Sequence, residues 1–214
     1  MWNPFKKKVV AVQRNADMKK PDMIDISHHN KSVDLVKLKV LDRVILKATQ
    51  RLDYVDEKFN SRWLGLKLLG IKRGAYHFYQ CNKGDPIGQA DHFLKTLGMT
   101  IRDDVLALDF ETCEIKGMIQ TIDDLIKHKP NALIFMKHIE KETGIKPKFY
   151  TGNNEIVSCG FEKEFAEYDL WYARYTNVEP KAKQGPWDKI WAWQYASNGV
   201  VAGVSNDVDM NYYR

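Results

Sequence analysis

The sequence predicts a single α/β domain, a compact and irregular (β/α) barrel whose sheet is trimmed towards the C-terminus. Three observations carry that expectation. Short apolar runs of strand length alternate with stretches of helical apolar spacing from residue 23 to about residue 151. Three further strand-like runs then start only about 20 residues apart, too close for a full crossover helix between each. Finally, 214 residues fall short of the roughly 250 that a complete eightfold barrel takes.

The elements follow in order. Residues 23–27 read as the first strand and carry Asp25. Residues 34–41 space Leu35, Leu38 and Leu41 as a helix does, and residues 43–49 form the second strand. Residues 56–69 are predicted as an amphipathic helix with Phe59, Trp63, Leu66 and Leu69 on one face, and Gly70 stands where a C-cap belongs. Residues 73–79 are the third strand, after which Asp85 and Pro86 open a helix running to about residue 97. The fourth strand, residues 105–112, is apolar on both faces, as suits a central strand, and it ends in acid. Alternation puts Asp109 and Glu111 on one side of it. Residues 117–142 are predicted helical in two parts, broken at Pro130, and residues 148–151 are the fifth strand. Residues 170–175, 190–195 and 208–212 complete eight.

Composition narrows the class. A hydrophobic content of 44% with 12% aromatic residues indicates a globular chain. The net charge of +5 favours polyanions such as bacterial cell-wall polymers, nucleic acid or anionic lipid without choosing among them, and no nucleic-acid-binding motif or dense basic helix accompanies it. Cys81, Cys113 and Cys159 are odd in number and widely spaced, which fits free thiols rather than a disulfide framework or zinc site. No apolar run is long enough for a membrane span. Residues 1–21 read as a basic N-terminal extension, with Lys6-Lys7-Lys8 followed by an apolar patch too short for a secretory signal. The barrel is expected over residues 22–214.

Strand ends are where such barrels keep their chemistry. Asp25 lies on the first strand, Asp109 and Glu111 on the fourth, Asp209 on the eighth. Strands one and eight adjoin in a closed barrel and strand four lies across the mouth, so four carboxylates converge. Structure alone explains that poorly, because each acid costs desolvation and like-charge repulsion. Taken singly, each has a plainer explanation: Asp25 or Glu111 as a helix cap, Asp109 as the start of a loop, Asp209 as a cap of the final turn. Two chemistries would use all four together. One is glycoside hydrolysis by paired carboxyl groups. The other is a hard divalent metal with His28 and His29 as added ligands, although no HxH or HExxH pattern supports it.

Seven segments carry a resemblance. Asp25-Ile26-Ser27, Leu46-Lys47-Ala48-Thr49, Gly74-Ala75-Tyr76-His77-Phe78, Leu108-Asp109-Phe110-Glu111, Leu170-Trp171-Tyr172-Ala173, Trp193-Gln194-Tyr195 and Val208-Asp209-Met210-Asn211 resemble, in order, the glycoside hydrolase family 25 lysozymes, or Chalaropsis-type muramidases. The resemblance implies a (β/α)5(β)3 barrel. It also implies hydrolysis of the β-1,4 bond between N-acetylmuramic acid and N-acetylglucosamine in bacterial peptidoglycan, with no metal or other cofactor. Glu111 is then the expected general acid. Asp109 is its partner, orienting the substrate's 2-acetamido group or supporting charge at the anomeric centre, and Asp25 and Asp209 complete the acidic mouth. Tyr76, Gln50, Tyr150, Trp171 and Gln194 are the expected substrate contacts; His28, His29 and His77 receive no catalytic role.

One departure stands out. The family continues Lys-Ala-Thr with Glu-Gly, whereas this chain has Gln50-Arg51, which removes a negative charge and a flexible glycine. A weakly active or binding-only barrel is the alternative that this departure raises. The expected setting is a monomer acting at the bacterial cell wall and made without a secretory signal. It would be released by a holin or by lysis, or carried on a phage particle through residues 1–21.

Overall fold

The structure, a computed structural model, describes residues 20–98, 100, 103–115 and 118–213. The expected basic extension therefore lies almost wholly outside the described residues.

Eight strands close into a barrel. They are β1 (Met23–Ile26), β2 (Arg43–Gln50), β4 (Arg73–Phe78), β5 (Val105–Asp109), β8 (Lys148–Gly152), β9 (Leu170–Ala173), β10 (Ile190–Gly199) and β11 (Val208–Tyr213). The short β3 (Tyr54–Val55) and the hairpin β6 (Cys113–Ile115) and β7 (Met118–Gln120) lie outside the ring. Around the barrel the order is β1-β11-β10-β9-β8-β5-β4-β2, and parallel pairing of β1 with β2 closes it. Within the ring only β11 runs against its neighbours, antiparallel to both β1 and β10. Helical connections cover the first five strands: a 3-10 turn over Leu35–Val40, α1 (Phe59–Leu68), α2 (Pro86–Leu97), α3 (Ile122–Thr143) and α4 (Asn153–Cys159). The (β/α)5(β)3 expectation holds, with a single domain.

The period of two decides what faces inward. Met23, Ile45, Val105, Ala107, Tyr150, Trp171, Ala173 and Ala192 fill the barrel's interior, with Tyr76, Trp191 and Tyr213 against them. Alternate residues, including Ile24, Leu46, Leu106, Leu108, Phe149 and Tyr172, pack outward under the helices. There α1 brings Phe59, Trp63 and Leu66, and α3 brings Leu125, Phe135, Met136 and Ile139. Each fully buried side chain of this size contributes roughly 1.5–3 kcal/mol. Two glycines answer geometric demands. Gly70 follows α1 with φ +66, the left-handed region that ends a helix cheaply. At Gly74, a Cβ would lie 2.8 Å from the Val105 carbonyl oxygen, so β4 and β5 approach only because it is absent.

Several expectations are corrected. Residues 34–41 are not an α-helix; the apolar spacing of three suits a 3-10 turn, capped where Asp34 Oδ1 accepts from the Val36 amide at 3.1 Å. The helix expected over residues 117–142 begins only at Ile122 among the described residues: Met118–Gln120 form β7, and Thr121 caps α3 reciprocally with Asp124. Pro130 does not break α3. Its missing N–H leaves the Ile126 carbonyl without its helical partner, but both residues stand on the exposed side of the helix, where water can replace the lost bond. Finally, β5 ends at Asp109, so Glu111 lies on the loop beyond it rather than within the strand.

Candidate active site

The mouth of the barrel gathers a cavity of about 110 Å³ lined by Asp25, Tyr76, Asp109, Glu111, Tyr150, Trp171, Tyr175, Gln194 and Asp209. All four predicted carboxylates meet there, together with Tyr76, Tyr150, Trp171 and Gln194. Gln50 does not line it; its Oε1 instead accepts from Lys47 Nζ at 2.8 Å. Tyr175, two residues beyond the interior Ala173, lines the cavity without having been expected.

The reversal of β11 explains why Asp209 belongs. The parallel strands deliver their C-terminal ends to the mouth, whereas β11 delivers its beginning, so Asp209 faces Asp25 directly across the β1–β11 pair. Asp25 Oδ1 accepts from Gln194 Nε2 at 3.0 Å and Asn211 Nδ2 at 2.8 Å. Those amides are themselves fixed. Gln194 Oε1 accepts from the Tyr150 and Tyr175 hydroxyls, each at 2.9 Å, and Asn211 Oδ1 accepts from Trp171 Nε1 at 2.7 Å. Burial lifts Asp25 to about 6, with Asn211 and Gln194 opposing the rise. Asp209 is pushed well above the usual carboxylate range by burial and by the Asp25 charge. Both carboxyls of the pair therefore resist ionisation.

The other pair is built differently. Asp109 is the last residue of β5, in register with Phe78 on one side and Tyr150 on the other. It is 7% exposed, and its Oδ1 is buried with no hydrogen-bond partner among the described residues. Burial, then the Glu111 charge, pushes its carboxyl well above the ordinary range, with Lys47 opposing. Glu111, partly exposed, stands on the following loop. Its neighbour Phe110 is tied down by its N–H to the Tyr150 carbonyl at 3.0 Å and by the Thr151 hydroxyl donating to its carbonyl at 2.8 Å.

Lys47 supplies a buried positive charge. It follows Ile45 by two on β2 and so shares its inward face; its Nζ stands 4.9 Å from the centre of the Phe78 ring. Burial pulls the ammonium below its ordinary range, while Asp109, Asp56 and Glu111 hold it up. The tyrosines at the mouth stay protonated donors, because burial and the neighbouring acids push Tyr76 and Tyr150 well above 10. The histidines are structural. His77 Nε2 donates to Gln89 Oε1 at 3.1 Å and Nδ1 accepts from Thr49 Oγ1 at 2.7 Å, and burial lowers it to about 3. His28 Nδ1 lies 2.8 Å from Asp56 Oδ2. Among the described residues no three His, Cys, Asp or Glu side chains are grouped as a metal ion's ligands would be. The three cysteines are free, and no described helix is long and apolar enough to cross a membrane.

Sequence reasoning passed over Lys47 and Asn211 although both lay within quoted segments; each stands two residues from an inward-facing position, Ile45 or Asp209, which was the available signal.

Known proteins agree with this construction. The family model for glycosyl hydrolases family 25 matches residues 24–204. Protein YegX of Escherichia coli O157:H7 is 29% identical over 197 residues, covering 89% of this chain and 68% of the relative. Lysozyme M1 of Streptomyces globisporus is 27% identical over 210 residues, covering 89% of this chain and 66% of its own length. The crystal structure of the bacterial lysozyme from Streptomyces coelicolor superposes with a TM-score of 0.80 at 26% identity, covering 92% of this chain and 94% of that one. An eight-stranded barrel reversed at its last strand, with its acids gathered at the mouth, matches that family over most of its length: this chain belongs to the family 25 glycosyl hydrolases and is a glycoside hydrolase.

Proposed function

We propose that the chain, over residues 22–214, is a muramidase that cleaves the β-1,4 bond between N-acetylmuramic acid and N-acetylglucosamine in bacterial peptidoglycan. One observation carries the reading. Beside Glu111 at the mouth stands a buried carboxyl, Asp109, with an oxygen unpartnered among the described residues, which is placed to accept from a donor on a bound substrate. The 2-acetamido group next to the scissile bond supplies one. Relatives bearing the names lysozyme and muramidase support the substrate class.

Glu111 acts as the general acid, giving its proton to the glycosidic oxygen as the bond to the anomeric carbon of muramic acid breaks. Asp109 Oδ1 accepts from the acetamido N–H. This offsets the cost of its burial, draws it towards the carboxylate, and holds the acetamido carbonyl oxygen towards the positive anomeric carbon. Water then adds its hydroxyl to the anomeric carbon and returns its other proton to the Glu111 carboxylate, leaving a new reducing end on muramic acid. The Asp25–Asp209 pair holds sugar hydroxyls or water on the far side, and Tyr76, Tyr150, Trp171 and Gln194 frame the sugar. Gln50 acts indirectly, through Lys47. The enzyme acts at the cell wall as a monomer.

Purified bacterial cell walls incubated with the protein, with and without EDTA, test the reading. The expected result is release of reducing ends terminating in muramic acid, unchanged by chelator. Complete loss of release with EDTA, or wall binding without release, would overturn it.

A further inference from the structure

Two residues that hold the loop carrying Glu111, Gln120 and Glu155, do not line the cavity at the mouth. Gln120, at the end of β7, is 3% exposed, and its amide meets three backbone groups from two loops. Nε2 donates to the Glu111 carbonyl at 2.8 Å and to the Tyr79 carbonyl at 3.2 Å, while Oε1 accepts from the Cys81 amide at 2.7 Å. Both amide protons and the carbonyl oxygen are therefore engaged, and the loops after β4 and β5 are stapled together. On the other side stands Glu155 of α4, 6% exposed. Its Oε1 accepts from the Thr112 amide at 3.2 Å and the Thr112 hydroxyl at 2.6 Å. Phe110 is tied to Tyr150 and Thr151 of β8, so three consecutive residues centred on Glu111 are each anchored to a different element.

A carboxylate buried at such a place needs a reason. Thr112 could have been anchored by any neutral acceptor, and Glu155 adds a negative charge that opposes ionisation of Asp109. An acceptor bearing a full charge makes the stronger bond, and two donors on one oxygen fix a direction as well as a distance.

We infer that Gln120 and Glu155 are positioning residues: together they clamp the acid's loop at the Glu111 carbonyl and at Thr112, so that the Glu111 carboxyl is presented to the glycosidic oxygen without having to reorganise. The inference rests on the proposed role of Glu111 as general acid. A misplacement of about 1 Å at a catalytic group costs on the order of a hundredfold in rate, which sets the scale of what the clamp protects.

Three variants test it: E155A, E155Q and Q120A. Each is checked for folding by thermal melting, for turnover and KM on soluble peptidoglycan fragments, and for amide hydrogen exchange across residues 110–112. E155A and Q120A should lower kcat by about tenfold or more with KM little changed, and should speed exchange in that loop. E155Q keeps a neutral, weaker acceptor for Thr112, so it should restore part of the turnover lost in E155A. It should also move the acidic limb of the pH profile to lower pH, because a charge opposing Asp109 ionisation is gone. Wild-type kcat in a folded E155A, unchanged loop exchange, or an E155Q as impaired as E155A would each overturn the clamp. If the wild-type protein releases no reducing ends, the muramidase reading fails instead, and the exchange measurement still reports on the clamp.

Discussion

The two acid pairs at the mouth are made of the same kind of side chain and are built in opposite ways. Asp25 and Asp209 face each other across two antiparallel strands, and Asp25 receives two amide donors that are themselves fixed by Tyr150, Tyr175 and Trp171. Asp109 keeps an oxygen without a partner among the described residues, and Glu111 stands beyond the strand on an anchored loop. Asp25 finds its donors within the protein; Asp109 Oδ1 finds none among the described residues, and under the proposed function a substrate N–H supplies one. A fold stabilises the one for its own sake and bears the cost of the other for function.

The largest expected effect separates the pairs directly. Glu111→Gln should lower turnover at least about a hundredfold, the usual contribution of a general acid, in a protein that melts normally. Near-normal activity would show that the acid is misassigned. Asp109→Asn should follow, with a loss of about ten- to a hundredfold in kcat, because an amide is a weaker acceptor for the acetamido N–H. Steady-state kinetics on the same fragments measures both.

The satisfied pair is better probed through stability. The folded-state pKa of Asp25, about 6, lies above its ordinary value of 3.8. Its contribution is therefore fully present below about pH 4 and is lost as pH rises from there through about 6. Asp25→Asn should shrink the stability difference between about pH 4 and pH 7 by roughly 3 kcal/mol, read by urea unfolding at each pH. An unchanged difference would mean that the buried pair does not titrate in this range.

Two smaller effects concern the side of the mouth beside Asp109. Lys47→Met removes the buried cation that favours Asp109 ionisation, so the acidic limb of the kcat/KM profile should move to higher pH, lowering activity below it by up to about tenfold. Arg51 holds φ at 60, in the left-handed region that favours glycine. Arg51→Gly should raise stability by up to about 1 kcal/mol with little change in turnover, measured by thermal melting and the reducing-end assay.

Much of this was legible beforehand. Alternating strand and helix runs exposed the barrel, and the position of Asp25, Asp109 and Asp209 on strands one, four and eight placed them at its mouth. The hairpin over residues 113–120 was not legible, because Cys113, Glu114, Ile119 and Gln120 carry neither a strong strand pattern nor a turn pair. Nor was the continuity of α3 through Pro130, where exposure rather than propensity decides whether a missing bond matters.

The sequence by itself determined the eight strands of the ring and the acids on or beside them, because side-chain alternation and apolar spacing are local properties. Only the tertiary structure decided that β11 runs backwards and brings Asp209 onto Asp25, that one Asp109 oxygen lacks a partner among the described residues, and that Gln120 and Glu155 hold the Glu111 loop. Those are relations between segments distant along the chain, and hydrogen-bond satisfaction has no local signature from which to read them.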